Sequence, residues 1–141
     1  PDLTPDEAHD WLVGSEDHGL DRIFLVSPSS TDERIVSTTQ ACRGWVYATA
    51  VMGVTGARQQ TSSQAPELVS RLRQLAPDTL VGVGLGVSNG AQAAEVAGFA
   101  DAVIVGSALV KMLIAAEDAG TPDDLAALRA VVADLAAGVR A

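Results

Sequence analysis

Apolar runs of strand length recur along this chain and alternate with stretches whose apolar residues return every three or four positions. The runs are Arg22 to Val26 (RIFLV), Trp45 to Ala50 (WVYATA), Leu80 to Gly84 (LVGVG) and Ala102 to Val105 (AVIV). None alternates apolar with polar residues, so each is expected to be a strand covered on both faces, as in a parallel sheet. Strand then amphipathic helix, repeated, is the pattern of consecutive βα units.

The polar positions supply the helix starts. Thr4, Pro5 and Glu7 predict an N-cap, a first helical residue and a carboxylate that reaches back to the cap amide. Ser30 and Glu33 repeat that spacing. Leu68, Leu72 and Leu75 fall on one helical face, and Asn89 opens a short helix. Thr121 predicts the cap of a longer helix whose stripe is Leu125, Leu128, Val132 and Leu135. The expected order is a helix followed by four strand–helix pairs, which is half of a (β/α)8 barrel. Such a half, standing alone, leaves two apolar edge strands unpaired, so the rest of a chain or a partner is expected to complete the sheet. The start at Pro1 rather than Met fits a piece of something longer.

Length and composition narrow the picture. With 141 residues, 48% of them hydrophobic, residues 1–141 suit a single domain with one core. The 9 Lys and Arg against 18 Asp and Glu give a net charge of −9, which argues against nucleic acid and against an anionic membrane surface. One cysteine, Cys42, allows neither an internal disulfide nor a thiolate metal cluster. No run reaches transmembrane length and no secretory leader is written here, so a cytoplasmic setting is expected.

Candidate chemistry lies just past the strands, where barrel enzymes carry their functional loops. Glycine recurs there in MGVTGARQQTSS, GLGVSNGAQ and GSALVKM. Gly106 and Ser107 lead into a short helical segment, ALVKML, whose first amides and dipole favour an anion. Together with backbone amides near Gly56 and Gly86, they form a candidate site for a phosphate dianion that needs no Arg or Lys, compatible with an acidic protein. Read singly, any one of these glycines is a turn residue; it is the three together at strand ends that point to a phosphate. Tyr47 sits in an otherwise apolar strand, where its hydroxyl needs a partner. His9 and His18 lie among Asp and Glu and read as solvated. Cys42 reads as a packed small apolar group.

The segments DRIFLVSPSSTDERI, YATAVMGVTGARQQ and GVGLGVSNGAQAAEVAGFADAVIVGSALVK, in this order, resemble the tryptophan synthase alpha subunit family along the whole chain. The resemblance implies a TIM barrel of which this chain supplies strands 5 to 8. It implies a lyase that cleaves indole-3-glycerol phosphate to indole and glyceraldehyde 3-phosphate and passes indole to a beta subunit in an alpha2beta2 complex. No cofactor is implied in this chain, since pyridoxal phosphate belongs to the beta subunit, and no metal. By the same resemblance Gly56, Gly86, Gly106 and Ser107 hold the substrate phosphate, Tyr47 lines the site, and Thr55 lies in a lid spanning Gly53 to Gln60 that closes over the substrate. Asp2 matches a position at the barrel mouth.

Two departures matter. The family's catalytic Glu and Asp belong to the first half of the barrel and have no counterpart here, so this span alone is expected to be inactive. Leu85 stands where an aromatic often adjoins the indole, implying a looser pocket. The competing readings are another phosphate-binding TIM-barrel enzyme and a non-catalytic half-barrel module.

Overall fold

The computed structural model describes residues 3–49, 64–84 and 86–141. Four strands form one sheet: β1 (Leu25–Val26), β2 (Trp45–Thr49), β3 (Leu80–Gly84) and β4 (Ala102–Ile104). They are parallel, adjacent and in chain order, as short βα units require. Six helices accompany them: α1 (His9–Asp17), α2 (Asp32–Ala41), α3 (Gln64–Leu75), α4 (Gly90–Ala97), α5 (Ser107–Asp118) and α6 (Ala126–Gly138).

The core lies between the sheet and the helices. Val26, Val46, Ala48, Val81 and Val83 point from the strands onto Ile35 of α2, Leu68, Val69 and Leu72 of α3, and Ala93 and Val96 of α4, all buried. The expectation that each strand is covered on both faces is met at the centre of β3, where Val81, Gly82 and Val83 are all buried, and is corrected along β2. Along β2, Val46 and Ala48 are buried while Trp45, Tyr47 and Thr49 are only partly so. Both faces of β2 are apolar in sequence, yet among the described residues the helices cover only one.

Several element ends also differ from expectation. Arg22 is not part of a ladder strand but forms an isolated antiparallel bridge with Arg43, whose amide donates to the Arg22 carbonyl at 2.9 Å. The cap of α2 is Thr31, accepting from the Arg34 amide, while Ser30 Oγ instead accepts from the Ser27 amide. Thr4 opens only a 3-10 turn over Pro5–Glu7, and its hydroxyl donates to the Glu7 carboxylate. Thr121 closes a turn with Asp124, whose carboxylate accepts from the Ala126 amide at the true start of α6. On that helix Leu135 is buried and Val131 packs on the core, whereas Val132 is exposed.

At the amino end of the sheet, Arg22 and Arg43 converge on Glu16. The hydrogen bond from Arg22, then the charge of Arg43, hold the Glu16 carboxyl below the ordinary glutamate range. Cys42 closes α2 as the packed group expected. It accepts a hydrogen bond from the Phe24 amide at 3.3 Å, and burial pushes its thiol up. His9 and His18 are exposed.

Candidate functional site

The site is built from strand pairing. Register sets Tyr47 of β2 beside Gly82 of β3, and Thr49 beside Gly84. Trp45, Tyr47 and Thr49 project to the face that the helices leave open, and the two rings stack with centroids 6.2 Å apart at 29°. Each ring leans across a glycine. A Cβ built on Gly82 falls 2.6 Å from Cζ3 of Trp45, and one built on Gly84 falls 2.7 Å from Cζ of Tyr47 and closer still to its hydroxyl. Gly82 and Gly84 therefore make room for aromatics on the neighbouring strand, a use of glycine that β-propensity alone does not report. With Ile23 and Leu25 of the β1 region, Trp45, Tyr47 and Thr49 line an apolar groove of about 380 Å³. A groove of similar size on the outside, between α2 and α3, is lined by Asp32, Glu33 and Val36 among others and lies away from the glycine turns.

Beyond the strands, the chain turns at Gly86 and Gly106. Register pairs Gly84 with Ile104, so each of these glycines lies two residues past a matched pair, at the carboxyl ends of neighbouring strands. Gly86 has φ +68°, a left-handed conformation that favours glycine. Gly106, at φ −124° and ψ −74°, lies outside the left-handed region and outside the usual helical and extended regions. Among the described residues, a Cβ on either would meet nothing within 4 Å.

From Gly106 the helix α5 begins at Ser107 and runs to Asp118, longer than the segment expected from ALVKML. Its cap makes no side-chain hydrogen bond and its first turn carries no acidic residue. The first amides of an α-helix have no intrahelical partner, and here no side chain of the cap competes for them. Next to Gly86, α4 is differently equipped: Asn89 caps it by accepting from the Gln92 amide, as expected, and the Asp134 carboxylate accepts from the Gly90 amide at 2.6 Å. Its N-terminus is already supplied with acceptors, so α5 is the better anion terminus of the two.

Of the residues singled out in the sequence, Tyr47, Gly86, Gly106 and Ser107 gather at this end of the sheet. Thr55, Gly56, the Gly53 to Gln60 segment, Asp2 and Leu85 lie outside the described residues. Trp45, Gly82 and Gly84 were not anticipated. The signal was present, since WVY on β2 and GVG on β3 have the same two-residue spacing and sit on adjacent strands.

A parallel, sequentially ordered βα array with glycine turns at its carboxyl ends is the architecture of half a (β/α)8 barrel. The family model described as Tryptophan synthase alpha chain matches residues 1–140, and the chain belongs to that family. It is 63% identical over 140 residues to the tryptophan synthase alpha chain of Acidothermus cellulolyticus, covering 99% of this chain and 51% of that one. The alpha chain of Salinispora arenicola is likewise 63% identical over 140 residues, with 51% of its length covered. Among solved structures, Mycobacterium tuberculosis tryptophan synthase in space group F222 is similar with a TM-score of 0.85 at 57% identity, covering 100% of this chain and 50% of that one. A mutant alpha-subunit from Pyrococcus furiosus is similar with a TM-score of 0.74 at 26% identity, covering 96% and 52%. The chain thus spans about half the length of the curated relatives it matches. Among the described residues, no helix is long and apolar enough to cross a membrane.

Proposed function

We propose that these 141 residues are one domain, the C-terminal half of a tryptophan synthase alpha subunit, contributing strands 5 to 8 of the barrel together with the phosphate end of its active site. The complete subunit cleaves indole-3-glycerol phosphate into indole and glyceraldehyde 3-phosphate and hands indole to a beta subunit that carries pyridoxal phosphate. The observation that carries this reading is the pairing of Gly86 with the N-terminus of α5 at adjacent strand ends, both open to solvent and adjoining the aromatic face of β2.

The division of labour follows from the chemistry. Breaking the bond between indole C3 and the glycerol chain requires a proton delivered to C3 and a proton taken from the glycerol hydroxyl, work suited to two carboxylates. Those carboxylates belong to the upstream half. This half holds the substrate: amides near Gly56, Gly86, Gly106 and Ser107 take the phosphate, Tyr47 borders the ring, and the Thr55 hydroxyl supports the catalytic Asp.

The test is a lyase assay on the full-length protein, upstream half included. Indole release from indole-3-glycerol phosphate, rising when the beta subunit is added, is the expected result. Tight binding of glycerol 3-phosphate without indole release would point instead to another phosphate-binding barrel enzyme. At the same site Ser107→Ala is expected to have a bounded effect, because it removes one hydroxyl bond and leaves the amides. Charge-assisted hydrogen bonds contribute about 1.5 to 3 kcal/mol, so the dissociation constant for glycerol 3-phosphate should rise by roughly 10- to 150-fold at most, read by calorimetry.

A further inference from the structure

Trp45 has no role in the site as described above, yet its surroundings are specific. Its ring lies on the face of β2 that the helices leave open, over a strand position with no side chain. Ile104 of β4 comes within 3.1 Å of the same Gly82 Cβ position from the other side. Any side chain at Gly82 would push the indole ring of Trp45 away from the sheet. Tyr47 stands two residues further toward the carboxyl end on the same face, about 6.6 Å along the strand, and stacks on Trp45. Trp45 therefore lies beneath Tyr47 as seen from the glycine turns, within the groove that also contains Leu25 and Thr49.

We propose that Trp45 is a positioning residue that sets the depth of the ring pocket: admitted by the bare backbone of Gly82, it supports Tyr47 from below and fixes how far a planar aromatic ligand descends toward the sheet. This deepens the reading of the site as one for an indole-bearing phosphate ester and rests on it. The proposed phosphate-binding groups lie past the strand ends, Gly86 six residues beyond the Leu80 that pairs with Trp45, so the two halves of the ligand should respond differently to changes here. Removing the support lets Tyr47 sink and leaves the ring without a floor. Adding a methyl at Gly82 does the reverse, raising Trp45 against Tyr47 and making the pocket shallower.

The experiment uses the full-length protein and two probes, indole and glycerol 3-phosphate, titrated separately by calorimetry against Trp45→Leu, Trp45→Phe and Gly82→Ala. Expected is a loss of about tenfold in indole affinity for Trp45→Leu and for Gly82→Ala, with glycerol 3-phosphate changed by less than about twofold. Trp45→Phe, which restores a flat ring, should recover indole affinity to within about threefold. A purely structural role would weaken both probes together and lower the melting temperature without separating them. Parallel weakening, or unchanged indole affinity in both Trp45→Leu and Gly82→Ala, would overturn the proposal. Should Trp45→Leu fail to fold, Gly82→Ala and Trp45→Phe decide the matter by the same criterion. Wild-type protein that binds indole in this Trp45-dependent way yet releases none from indole-3-glycerol phosphate would refute the lyase reading and leave the role of Trp45 standing.

Discussion

A protein consisting of residues 1–141 alone is expected to release indole from indole-3-glycerol phosphate at no more than the background rate, at least about 10⁴-fold below the complete subunit. General acid and general base groups each contribute typically 10²- to 10⁴-fold, and the proposed assignment puts both in the upstream half. The same truncated chain exposes a sheet face bearing Trp45, Tyr47 and Leu25, and its outer strands β1 and β4 each have a single neighbour. Self-association at micromolar concentration is the expected accompaniment. Supplying the upstream half as a separate chain should restore turnover and suppress that association. Turnover by the short chain within tenfold of the complete subunit would place the acid and base within residues 1–141, contrary to the proposal.

The second large effect concerns stability and comes from two glycines far from the groove. Where α4 meets α6, a Cβ built on Gly138 falls 2.6 Å from the Gly90 carbonyl carbon and 2.7 Å from its Cα, with the carbonyl oxygen nearer still. The obstacle is backbone, so it cannot swing aside as a flexible side chain can. Gly138→Ala must separate the helices, and with them the bond from the Gly90 amide to Asp134. Overpacking costs about 1 to 3 kcal/mol, and losing a hydrogen bond to a charged group adds about 1.5 to 3 kcal/mol. A loss of roughly 3 to 5 kcal/mol corresponds to a melting temperature lowered by about 6 to 20 °C in the complete subunit. Gly14→Ala is the internal control. It lies within α1 with nothing within 4 Å of its Cβ position, so the same substitution should stabilise by about 0.5 to 1 kcal/mol. Thermal denaturation of the two variants beside the parent should give shifts of opposite sign. Equal small shifts would mean that the α4–α6 contact is not as close as described.

What could be read from the sequence follows physical range. The β3 run at Leu80 to Gly84 was legible to the residue because it is apolar, is bounded by Asp78 and Gly86, and pairs on both sides. The run at Arg22 was not, since charge and hydropathy cannot show that Arg22 pairs with Arg43 outside the ladder and leaves only Leu25 and Val26 in β1. Helix caps failed where two candidate oxygens stood side by side: Ser30 and Thr31 are chemically alike, and only the path of the chain decides which hydroxyl meets the Arg34 amide. The glycines divide in the same way. Gly86 and Gly106 could be singled out by their place after a strand, whereas Gly82, Gly84 and Gly138 are demanded by partners on other elements, and such contacts have no local signature. Apolar strands implied cover on both faces. Along β2 the helices of the described residues supply only one of the two covers.

The measurement that bears most directly on the phosphate site is a pair of titrations of the complete subunit carrying Gly86→Val. Gly86 has φ +68°, where a β-branched residue is strained, and a Cβ there meets none of the described residues within 4 Å. Affinity for glycerol 3-phosphate should fall by about 100-fold or more, while affinity for indole, which lacks the phosphate, should change by less than about twofold. Equal weakening of both ligands would contradict a phosphate site at Gly86 and assign that glycine to the fold alone.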